Sequence, residues 1–195
     1  MRIIEDYNRY LCKISELSWD KQMKVSLIED DEKQHRMYNF DGMKKTLCRK
    51  FRGEQNFSCD AYWEKNDMRY LIEFKNQSEG NIKREHLWNK AYDSFALLLV
   101  NENIRREELA KNTILIVVYD NQKNISNSSS YNPSKSFDKI TETLKGYAKL
   151  TGVNKLPVKF GLDKYRGDLY REVHTLEVND FKKYYYPILF SESKT

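Results

Sequence analysis

The 195-residue chain is long enough to bury one full core, and its 39% apolar and 13% aromatic content excludes wholesale disorder. Three widely spaced cysteines (Cys12, Cys48, Cys59) exclude a disulfide framework and a C-x-x-C metal pair; no apolar run approaches the roughly 20 residues of a membrane span. A net charge of +5 leans mildly toward polyanionic partners.

In chain order, residues 3–18 place Tyr7, Leu11, Ile14 and Leu17 at helical spacing, and residues 20–37 also read as helical around Met23, Leu27 and Ile28. The N-terminal stretch MRIIEDYNRY lacks an apolar h-region, so a soluble cytoplasmic protein is expected, with no membrane association. A third helix starts after Asp41, the expected N-cap, and turns Met43, Leu47 and Phe51 inward. Together these make residues 1–54 a helical N-terminal part. Residues 55–120 follow as a core: two strands around an Asn66-Asp67 turn, a long helix from about Ile82 to Val100, and the strand TILIVVYD. The inner stripe of the helix is Leu87, Ala91, Phe95 and Leu98. Consecutive apolar, β-branched residues over 113–119 predict a strand covered on both faces, joined to strand 68–75 in a βαβ crossover. Residues 121–135 are an Asn/Ser-rich polar loop. Residues 136–195 form a C-terminal helix (136–151) followed by edge strands or a terminal extension, including KKYYYPILF. Everything fits a single domain.

The stretch CDAYWEKNDMRYLIEFKNQ (59–77) carries the chemistry. Pairing the strands about Asn66-Asp67 sets Tyr62 opposite Leu71 and Asp60 opposite Glu73, and alternation puts Lys75 on the face of Glu73. Cys59, Ala61, Trp63, Tyr70, Ile72 and Phe74 then fall on the other face, which reads as core. Two carboxylates facing each other across a strand pair repel. They are reconciled by a shared proton, by Lys75 as counter-ion, or by a divalent cation. Mg²⁺ suits such a pair, with the backbone carbonyl of Phe74 as an extra oxygen ligand and phosphate oxygens completing its shell. The plainer alternative is a Glu–Lys pair on a solvated sheet face, with Asp60 incidental.

Asp60 followed by Glu73-Phe74-Lys75 resembles the D…(D/E)-x-K signature of the PD-(D/E)XK, or restriction-endonuclease-like, nuclease superfamily. Cys59 stands where that family often has proline. The resemblance covers roughly residues 55–120. It implies an α/β fold with a mixed central β-sheet flanked by helices, here with an N-terminal helical extension, and Mg²⁺- or Mn²⁺-dependent cleavage of nucleic acid, most simply DNA. Asp60 and Glu73 would be the metal ligands and Lys75 would assist the attacking water. The resemblance also implies an acidic ligand from a preceding helix, for which Glu16, Glu29 and Asp41 are candidates. The bare acid-x-Lys triplet recurs at 31–33, 180–182 and 192–194, but only the triplet at 73–75 lies in an apolar strand with an acid opposite.

Lys83 and Arg84, in the first turn of the long helix, are candidates for holding phosphate, as are Lys90, seven residues beyond Lys83 on the same face, and Gln77 just beyond Lys75. Each is equally served by a solvated basic face or a strand end. The resemblance also implies, in some branches of the superfamily, a Gln or Lys from this helix in the active site, for which Lys90 is the candidate. Trp88, Tyr92 and Tyr184-Tyr185-Tyr186 fit packing better than base stacking, and His35, His86 and His174 lack ligand spacing. A second function, from another class, is a catalytically inactive nuclease-like module binding protein or nucleic acid. In either case a homodimer or a protein partner would supply specificity.

Overall fold

The computed structural model describes residues 2–29, 33–51, 57–121 and 158–191. Their centre is a six-stranded mixed sheet built from β1 (Leu11–Lys13), β4 (Arg36–Asn39), β5 (Ala61–Lys65), β6 (Met68–Lys75), β7 (Thr113–Tyr119) and β8 (Glu172–Glu177), adjacent in that order. The first four are mutually antiparallel; β6, β7 and β8 run parallel. Strands β2 (Trp19–Asp20) and β3 (Val25–Ser26) form a separate small hairpin. The helices are α1 (Ile14–Leu17), α2 (Phe40–Phe51), α3 (Arg84–Glu102), α4 (Arg106–Lys111) and α5 (Val178–Phe190). None of them is long and apolar enough to cross a membrane.

Alternation along the strands divides the core in two. Tyr62, Leu71, Leu115, Val117 and Val173 point to one face, where α2, α3 and α4 lay down Phe40, Met43, Leu47, Leu87, Ala91, Phe95, Leu98 and Leu109. Ala61, Tyr70, Ile72, Phe74, Ile116, Val118 and Leu176 point to the other, under Ile14, Leu27, Ile28 and the α5 residues Phe181, Tyr185 and Leu189. Strand β7 is therefore buried on both sides, as its unbroken apolar run requires. Its parallel pairing with β6 across α3 and α4 completes the expected βαβ unit. The hairpin also folds as read: Asn66 and Asp67 both take positive φ (50° and 60°), and the register runs Lys65↔Met68, Tyr62↔Leu71, Ala61↔Ile72. Cys59 is the exception in the hairpin. It lies ahead of β5 rather than in it, and packs on the α3 face instead of with Ala61.

Three expectations are corrected. The described residues between 2 and 39 are not a helical extension: beyond the four residues of α1 they form a 3₁₀ turn, short strands and loops. Leu11, Cys12 and Lys13 pair with Tyr38, Met37 and Arg36, and positive φ at Lys24 and Gln34 stops any helix from running through. Helix α2 exists, but Asn39 caps it, its Oδ1 accepting the Gly42 N–H at 2.8 Å, and Asp41 sits inside the first turn. The segment KKYYYPILF is helical, not an edge strand. Phe181, Tyr185 and Leu189 recur every four residues and bury against the sheet, leaving Tyr184 exposed. The expected helix over 136–151 and nearly all of the polar loop lie outside the described residues.

Candidate active site

The site forms where β5 begins and β6 ends. Strand β5 starts at Ala61, so Asp60 is free of the ladder and turns its side chain along the edge of β6, where Oδ2 accepts the Phe74 N–H at 2.8 Å. Its backbone stays fixed: Asp60 N–H donates to the Ile72 carbonyl at 3.1 Å, and its own carbonyl accepts from Phe40 N–H at 3.1 Å. One residue earlier, Cys59 N–H donates to Ser94 Oγ of α3 at 2.8 Å, which sets the height of Asp60 against that helix. Ser94 is fully buried and had no distinguishing signal in the sequence; a serine on the inner stripe reads as a tolerated small residue.

Glu73 belongs to the α3 face of β6, along with Leu71, and is 1% exposed. This excludes the reading of a Glu–Lys pair on a solvated surface. A carboxylate so deeply buried stays charged only if it is paired. Lys90, reaching down from α3, places Nζ 2.7 and 2.8 Å from the two Glu73 oxygens and 3.3 Å from Asp60 Oδ1. Lys75, two residues along the same strand face, sets its Nζ 2.8 Å from Glu73 Oε1. Two acids and two lysines thus meet in one cluster, each lysine about one-fifth exposed.

The electrostatics follow from this crowding. Burial, and then the neighbouring Glu73, push the Asp60 carboxyl up to about 7, against the opposing pull of Lys90, the Phe74 N–H and Lys75. Burial works against the charge of Lys90, but Glu73 and Asp60 outweigh it and hold the ammonium above the ordinary lysine value.

The cluster therefore unites Asp60, Glu73, Phe74 and Lys75 as the sequence arranged them, and Lys90, of its two expected places, takes the one beside the acids rather than one on an outer phosphate track. Gln77 lies two residues past Lys75, half-buried and beyond the strand. Lys83 and Arg84 open α3 on its exposed surface, Lys83 being the residue before the first helical position. His86, exposed one turn before Lys90, has its ring 6.0 Å from that of Phe57. Trp88 is a packing residue, its indole N–H donating to the Phe160 carbonyl at 2.8 Å.

Of the three acids considered as a further ligand, Glu16 and Glu29 are exposed and line a surface pocket with Trp19 and Val25, none of whose lining residues belongs to the cluster. Asp41 comes nearer through its neighbours: it accepts from Ser58 Oγ at 2.6 Å, two residues ahead of Asp60. It is nonetheless committed to Lys44, also at 2.6 Å. Among the described residues no three His, Cys, Asp or Glu side chains gather closely enough to hold a metal ion. What the cluster offers a cation is two carboxylates. The Phe74 carbonyl can join them, since it projects to the same strand edge as the N–H that meets Asp60. That donor set is all hard oxygen and matches a Mg²⁺ that keeps several waters.

No protein-family model, curated protein or solved structure matches this chain.

Proposed function

We propose that the protein is a metal-dependent nuclease of the PD-(D/E)XK kind, hydrolysing phosphodiester bonds, most simply in DNA. The observation that carries this reading is the buried Glu73 carboxylate, held beside Asp60 with Lys75 at 2.8 Å, at the end of a strand that pairs antiparallel with β5 and parallel with β7. Such an arrangement of like charges is unfavourable for folding alone and is explained by a task that needs it.

Asp60 and Glu73 would hold Mg²⁺ or Mn²⁺, with the Phe74 carbonyl as a further oxygen. Bound there, the cation would acidify a water and offset charge on the scissile phosphate. Lys75, anchored by Glu73 yet partly open to solvent, orients the attacking water and stabilises negative charge as it develops on the phosphate. Lys83 and Arg84, exposed at the start of α3, supply positive charge for the nucleic-acid backbone, and Gln77 lies on the loop leaving the site. Specificity would come from a second copy or a protein partner.

The test is incubation of the protein with supercoiled plasmid, linear duplex, single-stranded DNA and RNA, in EDTA, Mg²⁺ or Mn²⁺. Cutting should require the metal and fall by about 10²-fold or more in Lys75→Ala and Glu73→Gln, the scale of a lost acid–base or charge-stabilising group. One observation favours the second reading, a nuclease-like binding module without catalysis: Lys75 and Lys90 together already balance both acids. Nucleic-acid or protein binding that survives those substitutions, with no cutting under any condition, would establish that module instead.

A further inference from the structure

We propose that Lys90 is the resident cation of this site and that a divalent metal must displace it to bind. The inference rests on the metal-site reading above. Three carboxylate oxygens from two chain segments converge on one ammonium: Glu73 Oε1 and Oε2 at 2.7 and 2.8 Å, and Asp60 Oδ1 at 3.3 Å. A magnesium ion shared by Asp60 and Glu73 would sit about 2.0–2.1 Å from its oxygens, in the space that Lys90 Nζ fills. Both positive charges cannot occupy it together.

The surroundings decide which part moves. Helix α3 is fixed by Leu87, Ala91, Phe95 and Leu98 in the core, and by Ser94 accepting the Cys59 N–H one turn beyond Lys90. The backbone at Lys90 is therefore rigid, and only the side chain is free to leave. Lysine suits that role. It is a point charge on a flexible four-carbon stem, whereas a guanidinium would lock bidentately onto the carboxylate. At 22% exposure the stem already reaches the solvent edge, so the ammonium can swing outward while its methylenes remain packed. Lys75 is held by Glu73 Oε1, at 2.8 Å and with no contact to Asp60 within ion-pair distance, and can remain in place.

The consequence is a site balanced in charge without metal, whose affinity for a cation is set by how readily Lys90 departs. The experiment is calorimetric titration of Mn²⁺, without nucleic acid, into wild type, Lys90→Gln, Lys90→Arg and Glu73→Gln, each checked for folding by circular dichroism. Lys90→Gln keeps a hydrogen-bond donor beside Glu73 and removes the charge. It should bind Mn²⁺ roughly tenfold tighter or more, because a like charge a few ångströms away opposes the ion by well over one decade. Lys90→Arg should bind no tighter than wild type, and Glu73→Gln should abolish the site.

If wild type binds through Glu73 and Lys90→Gln gains nothing, the competition is overturned while the metal site stands. Absence of Glu73-dependent binding in every variant overturns both. Should Lys90→Gln fail to fold, NMR of the lysine side-chain nitrogens in the wild-type protein during Mg²⁺ titration decides instead. The Lys90 signal must move to that of a solvated ammonium, and an unmoved signal at saturation overturns the proposal.

Discussion

The β5–β6 hairpin carries a buried charge cluster at each end, and the two are built from different cations. At the turn end, Arg2 grips Glu64 with both terminal guanidinium nitrogens (2.9 and 2.6 Å), and its Nε donates to Glu102 at 3.0 Å. Arg69 meets the same Glu102 at 2.9 Å, and the Tyr7 hydroxyl donates to it at 2.7 Å. At the open end, the cations that meet Glu73 among the described residues are the ammonium groups of Lys75 and Lys90. Helix α3 joins the two, carrying Lys90 in its second turn and Glu102 as its last residue. The planar fork of arginine saturates its acid in one geometry, while lysine neutralises without fixing direction. The turn end is accordingly a clasp that ties residue 2 to the sheet, and the open end is where we propose that the cation exchanges. Burial of an ion pair does not tell them apart; the identity of the cation does.

The largest test of that contrast is mutation of the two buried acids. Glu102→Ala strips two guanidinium groups and a tyrosine of their partner and should lower unfolding free energy by about 3–5 kcal/mol in urea denaturation. Glu73→Gln should lower it by less than about half of that, since Lys75 and Lys90 can turn to water along their stems. Equal losses would mean that both clusters are structural.

The pH dependence sharpens the comparison further. Asp60, with its carboxyl raised to about 7 in the folded protein, favours folding most when protonated. Its contribution is complete below the ordinary aspartate value of about 4 and is lost as pH rises through about 7. With roughly a quarter of its side chain exposed and screened, the loss should be at most a few kcal/mol. Stability measured by urea unfolding from pH 4 to 8 should therefore fall across that window in wild type, and this component should vanish in Asp60→Asn.

The smallest effect is expected at Ser94. Removing its hydroxyl by Ser94→Ala leaves the buried Cys59 N–H without its acceptor and should lower stability by about 1–2 kcal/mol. It should also release Asp60 from its height against α3, visible as a change in the Asp60 titration followed by NMR. Loss of stability with an unchanged titration would confine Ser94 to packing.

How much of this was legible in the sequence varied along the chain. The turn at Asn66-Asp67, the stripe of α3 and the apolar run of β7 are local signals, each set by residues within a few positions of one another. They held because the packing demanded of them agreed with their own preference. The N-terminal segment misleads for the opposite reason. Tyr7 and Ile14 are spaced as if on a helix and are indeed buried, yet the intervening Leu11–Lys13 is drawn into a ladder with Arg36–Tyr38, a pairing no local period reveals. In α5 three consecutive tyrosines argue for a strand, and the sheet face above Ile116 and Val118 selects the helical spacing of Phe181, Tyr185 and Leu189 instead.

The sequence by itself determined the hairpin, its register, and therefore that Asp60, Glu73 and Lys75 would meet, because alternation and a two-residue turn leave no freedom in where those side chains go. Only the tertiary structure decided that Glu73 would be buried and that Lys90 would stand between both acids. That depends on how α3 lies across β6, and the rotation of a helix on a sheet is set by the whole packed face rather than by any one residue on it.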